Sequence, residues 1–327
     1  MKSELELWQF IASHLKDGEA VMLLVVAASS GSSPGRAGYK MAVAADGDLC
    51  GSIGGGVMEV NLVELSRAFL SEPGAIATGF PSTRIIEQVH KKNSPSPSGM
   101  ICSGKQTIIL KRLTAADAAT IDAIVESFNK PEPIAFEISN LKFQIVENVP
   151  DRSWRFFSMS RESEFLYIER LGPENEIYII GGGHCAFALS ELMSMMDFRI
   201  SIFDDRPDLN TLGKNRFADE ITIIDSYEKI GGFVPSGNNI YVVVMTLGYK
   251  FDEIVIRSLF DHDLKYFGVL GSKAKMKTLL TTLENEGFAN EKLARIRTPI
   301  GLPISSQTPE EIAVSIAGEI IAVKNAR

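Results

Sequence analysis

Residues 177–192 read IYIIGGGHCAFALSEL, and this stretch decides the fold of the second half of the chain. Four apolar residues, two of them flanking Tyr178, form a run that suits a strand buried on both faces. The run stops at Gly181-Gly182-Gly183 and passes into a sequence with helical spacing. Gly181, Gly183 and Ala186 together make G-x-G-x-x-A between a strand and a helix. Glycine is needed there because the chain turns tightly and must let a phosphate group approach its backbone. The helix start then offers unpaired N–H groups and a partial positive charge.

The pattern continues outward from this unit. Strands are expected at RISIFDD, EITIID, NIYVVVMT and KYFGVLG, with helices from about Phe251, from Ser272, and from Thr308-Pro309-Glu310-Glu311, a capping box with proline at the first helical position. Apolar strands alternating with helices define an α/β, Rossmann-like, doubly wound parallel sheet over residues 171–327. Asp204 and Asp205 end the strand after the glycine turn, where an acid usually receives ribose hydroxyls. Gly271, Ser272 and Lys273 open a helix at the carboxyl end of the sheet, and Thr246–Lys250 occupies the matching place after its own strand. The alternative for the first of these is a plain helix cap with solvated lysines. For the glycine turn, the alternative is close helix packing with no ligand at all.

Residues 1–170 read as a smaller α/β (α+β) domain with a linker. Leu7, Trp8, Ile11 and Leu15 share one helical face that ends at Asp17-Gly18. VMLLVVAAS reads as a buried strand, Ser29–Gly38 as a glycine/serine/proline loop, and KMAVAADGDLCGSI as two strands joined at Asp46-Gly47. Gly54-Gly55-Gly56 forms a second helix-start anion site with Glu59 one turn in. A strand over 106–111, a helix over 114–128 and a strand pair within 134–146 follow, and residues 150–176 read as domain end and linker. Arg36 closes the SSPGR loop and could grip an anion through two N–H groups. Cys102 lies in the loop segment KKNSPSPSGMICSG. It is a candidate soft contact for a metal or sulfur, a free cysteine's commoner fate being that of a small buried hydrophobe.

Composition excludes several classes. A formal charge of −8 over 327 residues argues against a general nucleic-acid binder. No apolar run approaches the length of a membrane span, and the opening MKSELELWQF is too acidic for a signal peptide, so a cytoplasmic setting with no membrane partner is expected. Three widely spaced cysteines form no zinc pattern, and no HxxxH pair, nucleophile elbow or Walker lysine occurs. His184, beside the glycine turn, could touch a ligand phosphate, and His90 is a weaker candidate.

GSSPGRAGYKMAVAADGDLCGSIGGGVMEVNLVEL, GMICSGKQ, FDDRPD, YVVVMTLGYKFD, GVLGSKAKM and PIGLPISSQTPEEIAVSIAGEIIAVK, in this order with the glycine-turn block, resemble the XdhC/CoxI family of molybdenum-hydroxylase accessory factors. The likeness runs from about residue 20 to the C-terminus and is weakest across 113–170. It implies a non-catalytic chaperone for the molybdenum cofactor, as molybdopterin or its dinucleotide form. Such a factor protects the cofactor while a molybdenum oxygen is exchanged for sulfur and delivers it to a xanthine dehydrogenase-type enzyme. A cysteine desulfurase is a further implied partner, and a homodimer is the default expectation. The family's glycine motif maps onto Gly31–Arg36 and Ser52–Glu59, and its cysteine loop onto Cys102 and Gly104. Three departures are visible: Gly35 separates Pro34 from Arg36, Ser103 stands where many relatives carry glycine, and Leu247 and Tyr249 occupy a block in which relatives often show a charged residue before the glycine. An NAD(P)-dependent oxidoreductase and a docking scaffold without cofactor are the competing readings.

Overall fold

The computed structural model describes residues 2–71, 82–89, 104–128, 134–140, 142–147, 154–196 and 198–326. It divides into two compact units, Lys2–Gly172 and Pro173–Arg327.

The first unit is built on strand β1 (Val21–Gly31), which extends three residues into the stretch expected to be loop. Helix α1 (Lys2–Lys16) precedes it, and β2 (Lys40–Ala44) and β3 (Leu49–Gly51) follow as the expected hairpin across Asp46-Gly47. With β4 (Thr83–Val89) and β5 (Gly104–Leu113) they form an antiparallel sheet in the order β3-β2-β1-β5-β4. The uninterrupted apolar run of β1 has a clear cause. Val21, Leu23, Val25 and Ala27 join the core that contains Leu7, Trp8, Ile11 and Leu15 of α1. Met22, Leu24 and Val26 point the other way, onto Met58 and Leu62 of α2 (Gly56–Ser71). An antiparallel strand covered on both faces loses its polar alternation just as a parallel one does.

Helix α3 (Ala118–Ser127) leads to a second antiparallel sheet: β6 (Ala135–Ser139), β7 (Phe143–Val146), β8 (Arg155–Arg161) and β9 (Glu164–Arg170), ordered β7-β6-β9-β8. The linker expected over 150–176 is therefore largely a hairpin, because β9 pairs with both β6 and β8 and carries the buried Tyr167 and Ile168.

The second unit is the doubly wound sheet. Strands β10 (Asn175–Ile180), β11 (Phe198–Asp204), β12 (Glu220–Ile223), β13 (Gly237–Val244) and β14 (Leu264–Val269) are all parallel, in the order β12-β11-β10-β13-β14. Helices α4 (His184–Ser194) and α9 (Pro309–Asn325) cover one face, where Ile177 and Ile179 meet Leu189 and Ile316. Helices α6 (Tyr249–Leu259) and α7 (Lys273–Asn285) cover the other, where Tyr178 and Ile180 meet Val255 and Leu279. The strand order reverses between β10 and β13, which opens the switch-point crevice at their carboxyl ends. Two short helices, α5 (Asn210–Lys214) and α8 (Asn290–Leu293), complete the unit.

Candidate functional site

The glycine turn lies at the switch point. Gly181 has φ +109°, and a Cβ there would overlap the Met245 carbonyl oxygen at the end of β13, so only glycine fits. A Cβ on Gly182 would press into Leu212. Gly183 differs: it caps α4 with φ −72°, and a Cβ there would meet nothing within 4 Å. Its face is open, as a backbone that must be approached by a ligand requires. The first amides of α4 have no intrahelical acceptor, and no side chain caps them. His184 begins α4 exposed to solvent.

Asp204 takes a different part from the one expected of it. Its side chain is fully buried. Oδ2 accepts the Gly182 N–H at 2.6 Å, and Arg206 donates through Nε to Oδ1 and through Nη2 to Oδ2, each at 2.8 Å. Burial works against its charged form, but the hydrogen bonds from Arg206 and the Gly182 amide outweigh it and hold the carboxyl below its ordinary range. Asp204 thus fixes the turn from within, and Asp205 is left as the acid that can face a ribose. Asp205 is half-buried and accepts from the Tyr227 hydroxyl at 3.2 Å.

The loop after β13 is fixed the same way. Buried Asp252, in the first turn of α6, accepts from Thr246 Oγ1 at 2.6 Å and from the Thr246 amide at 3.3 Å. Burial pushes its carboxyl up, against those two donors. Leu247 stands at the tip of that loop, 73% exposed beside the crevice. Gly271 ends the strand region, and the Ser272 hydroxyl caps α7 at the Lys275 amide with Lys273 and Lys275 exposed. The plain helix-cap reading accounts for all that is seen there.

In the first unit, Gly54, Gly55 and Gly56 all have positive φ. Glu59 Oε2 accepts from the Ser52 hydroxyl at 2.7 Å and from the amides of Ile53 and Gly55 at 2.8 and 3.0 Å. Partial burial opposes its ionisation, and these donors more than compensate, holding it below the ordinary glutamate value. Glu59 therefore takes up two amides of the turn that leads into α2. The inserted Gly35 also has a cause: its Cβ would overlap the Ile53 carbonyl oxygen, which the buried Gln106 amide binds. Arg36 is exposed and unpaired among the described residues.

Cys102 and His90 lie outside the described residues. Cys50 and Cys185 are free and half-buried, and burial raises both thiols, so neither favours thiolate. Two features escaped the sequence reading. One is a buried charged group: Lys40 Nζ lies 2.9 Å from both Glu4 and Glu169, Arg155 Nε lies 2.5 Å from Glu169, and the Tyr167 hydroxyl donates to Glu169 at 2.7 Å. The other is a cluster of His14, Glu19 and Asp46, in which the His14 ring already faces Asp46 at 3.8 Å. Among the described residues no helix is long and apolar enough to cross a membrane.

A five-stranded parallel sheet with a glycine turn at its switch point makes the second unit a Rossmann-type domain, joined to a first unit of antiparallel sheets. Comparison with known proteins narrows this class. Residues 177–320 match the XdhC Rossmann domain, and residues 14–78 match the XdhC and CoxI family. The chain belongs to the XdhC/CoxI family. It is 24% identical to a probable xanthine dehydrogenase subunit of Bacillus subtilis over 95% of both chains. It is also 23% identical to the uncharacterized protein YqeB of Escherichia coli over 91% of this chain, which spans only 42% of that protein. A crystal structure described as a xanthine dehydrogenase from Bacillus halodurans shares the fold, with a TM-score of 0.73 at 22% identity, covering 99% of this chain and 96% of that one.

Proposed function

We propose that this protein is an accessory factor that binds the molybdenum cofactor, supports its sulfuration and delivers it to a xanthine dehydrogenase-type molybdenum hydroxylase. Family membership supports the association with such an enzyme, as does the name of the Bacillus subtilis relative. The observation that carries the ligand reading is the open backbone of Gly183 at the start of α4. An amide terminus with no side chain over it suits the phosphate of a pterin or of its nucleotide extension. Gly183 and His184 would hold that phosphate, and Asp205 would take a ribose in a dinucleotide form. Bound there, the cofactor would supply the molybdenum chemistry. The chain's own residues bind and orient it.

Anaerobic equilibrium binding of isolated molybdenum cofactor, with NAD(H) as competitor, tests this. Saturable binding that NAD(H) does not displace is expected. Binding of NAD(H) alone, with turnover of a carbonyl substrate, would replace this reading with an NAD(P)-dependent oxidoreductase.

A further inference from the structure

After β14 the chain forms α7 and α8 and then returns along the outer edge of the sheet. Val269 N–H donates to the Arg297 carbonyl at 3.0 Å, and Arg297 N–H to the Phe267 carbonyl at 2.8 Å, so the returning segment covers the carboxyl half of β14. It does not cover the amino half. There a cavity of about 350 Å³ opens, at the end of the sheet opposite the glycine turn. Lys265, Lys292, Arg295, Arg297 and His262 line it, with Phe260 as an aromatic wall. Four cations meet around one small cavity in a chain whose net charge is −8, and among the described residues no carboxylate lines it.

The carboxylate partners of these cations are not among the residues that line the cavity. Lys292 pairs with Asp261 at 2.6 Å, but that carboxylate is 87% exposed. Arg295 reaches Asp263 only at 3.6 Å, with 62% and 85% exposure, and Arg297 reaches Glu319, a carboxylate 13% exposed, at 3.4 Å. Lys265 has no carboxylate partner among the described residues. The carboxylates paired with Lys292 and Arg295 are open to solvent, where screening keeps an ion pair weak. An anion with two charges in the cavity can therefore recruit the guanidinium and ammonium groups at little cost, and guanidinium in particular binds phosphate through paired N–H donors. The volume lies at the lower end of small-molecule sites, roughly 300–1,000 Å³, which suits a compact ligand.

From this we infer that the cavity is a second ligand site, distinct from the glycine turn, that takes a phosphate monoester of mononucleotide size. Its phosphate sits between Lys265, Arg295 and Arg297, and its organic part lies toward Phe260.

Calorimetric titration of adenosine monophosphate into the full chain tests this, comparing the wild type with Lys265→Glu, Arg295→Glu and Asp263→Asn. All three positions carry exposed side chains, and unchanged thermal unfolding of each variant confirms folding; Lys265→Ala replaces any variant that fails this check. Lys265→Glu and Arg295→Glu each weaken binding by at least about tenfold, the scale of one lost hydrogen bond to a charged group. Asp263→Asn strengthens it by freeing Arg295. Flat isotherms with the wild type, or binding that ignores the Lys265 and Arg295 substitutions, would overturn the assignment.

Discussion

Asp204 Oδ2 accepts the Gly182 amide at 2.6 Å, so the acid that ends β11 closes the glycine turn that follows β10. The same arrangement recurs in the first unit, where Glu59 Oε2 binds the amides of Ile53 and Gly55. The two Ile-Gly-Gly-Gly tetrapeptides at 53–56 and 180–183 thus share one local solution: glycines make the turn, and an internal carboxylate satisfies amides the turn leaves over. At Glu59 the carboxylate takes up the amides of Ile53 and Gly55, ahead of α2. At Asp204 it takes only Gly182, and the Gly183 side stays open.

Asp204→Asn is the direct test of that relationship. The substitution places a neutral side chain, half of it a donor, between the Gly182 N–H and the Arg206 guanidinium. Breaking a buried charge pair costs about 3–5 kcal/mol. Arg206 is 32% exposed and can be hydrated in part, so a loss of about 2–3 kcal/mol is expected for the second unit's transition in urea. Asp205→Asn, at a half-buried residue with a 3.2 Å contact to the Tyr227 hydroxyl and a 3.8 Å one to Arg206 Nε, changes stability by less than about 1 kcal/mol and weakens ribose-containing ligands instead.

The acid limb of stability follows from the same carboxylates. Asp204 and Glu59 are both held below their ordinary values of 3.8 and 4.5. A group depressed on folding contributes stability that is present above its unfolded value and is lost as pH falls through its folded value. Stability should therefore be flat in this respect near neutrality and decline below about pH 4.5. The double variant Glu59→Gln/Asp204→Asn, less stable at pH 7, should show a shallower decline in acid. Denaturation midpoints collected from pH 3 to 7 give the slopes, and equal slopes for variant and wild type would refute the assignment.

The alkaline limb belongs to the first unit. Lys40 is almost wholly buried, and although burial favours its neutral form, Glu169 and Glu4 raise it above its ordinary 10.5. Tyr167 is raised well above its ordinary value by burial and then by Glu169. Both groups are raised on folding, so their contribution is complete below the unfolded value and is lost as pH rises through the folded one. Unfolding of the first unit should steepen above about pH 10.5. Lys40→Met leaves Glu169 with Arg155 and Tyr167 but strands part of its charge. A cost of about 3 kcal/mol at pH 7 is expected, with a weaker alkaline dependence.

How much of this was legible in the sequence depends on the range of each signal. The second unit reads cleanly because a parallel strand covered on both faces is an apolar run, and because glycine turns or capped helices follow β10 and β14. Thr308, Pro309 and Glu311 show the point, since the capping box lies where the residues place it. The first unit reads less well. β8 and β9 form a hairpin whose turn, Glu162-Ser163, lacks an Asn-Gly signal, and exposed charges at Arg161 and Glu164 blur its alternation. β4, with the sequence TRIIEQV, gave no expected strand although Ile85 packs into the core. The Lys40–Glu169 pair was not legible at all. Its members lie on different sheets, and no local spacing announces a contact made by tertiary folding. Asp204 was found as an acid at the right place, but its burial and its grip on Gly182 emerge only when the following strand folds back beside the turn.

Two glycines of one motif should respond in opposite ways. Gly181→Ala puts a Cβ on a residue at φ +109° and drives it into the Met245 carbonyl oxygen, where backbone must move. Left-handed strain alone costs about 1–3 kcal/mol, and the clash with β13 adds to it, so a loss of at least about 3 kcal/mol or failure to fold is expected. Gly183→Ala meets no atom within 4 Å and keeps an ordinary φ, so the second unit's stability should fall by less than about 1 kcal/mol. Its effect belongs to the ligand. A methyl group on the open face of the turn stands where a phosphate must approach the first amides of α4, so affinity for molybdenum cofactor should drop at least about tenfold with the fold intact, the scale of one lost hydrogen bond to a charged group. Circular dichroism melts paired with anaerobic cofactor titration separate the two effects. Unchanged cofactor affinity in Gly183→Ala would remove the glycine turn from the binding site and leave its glycines as packing devices alone.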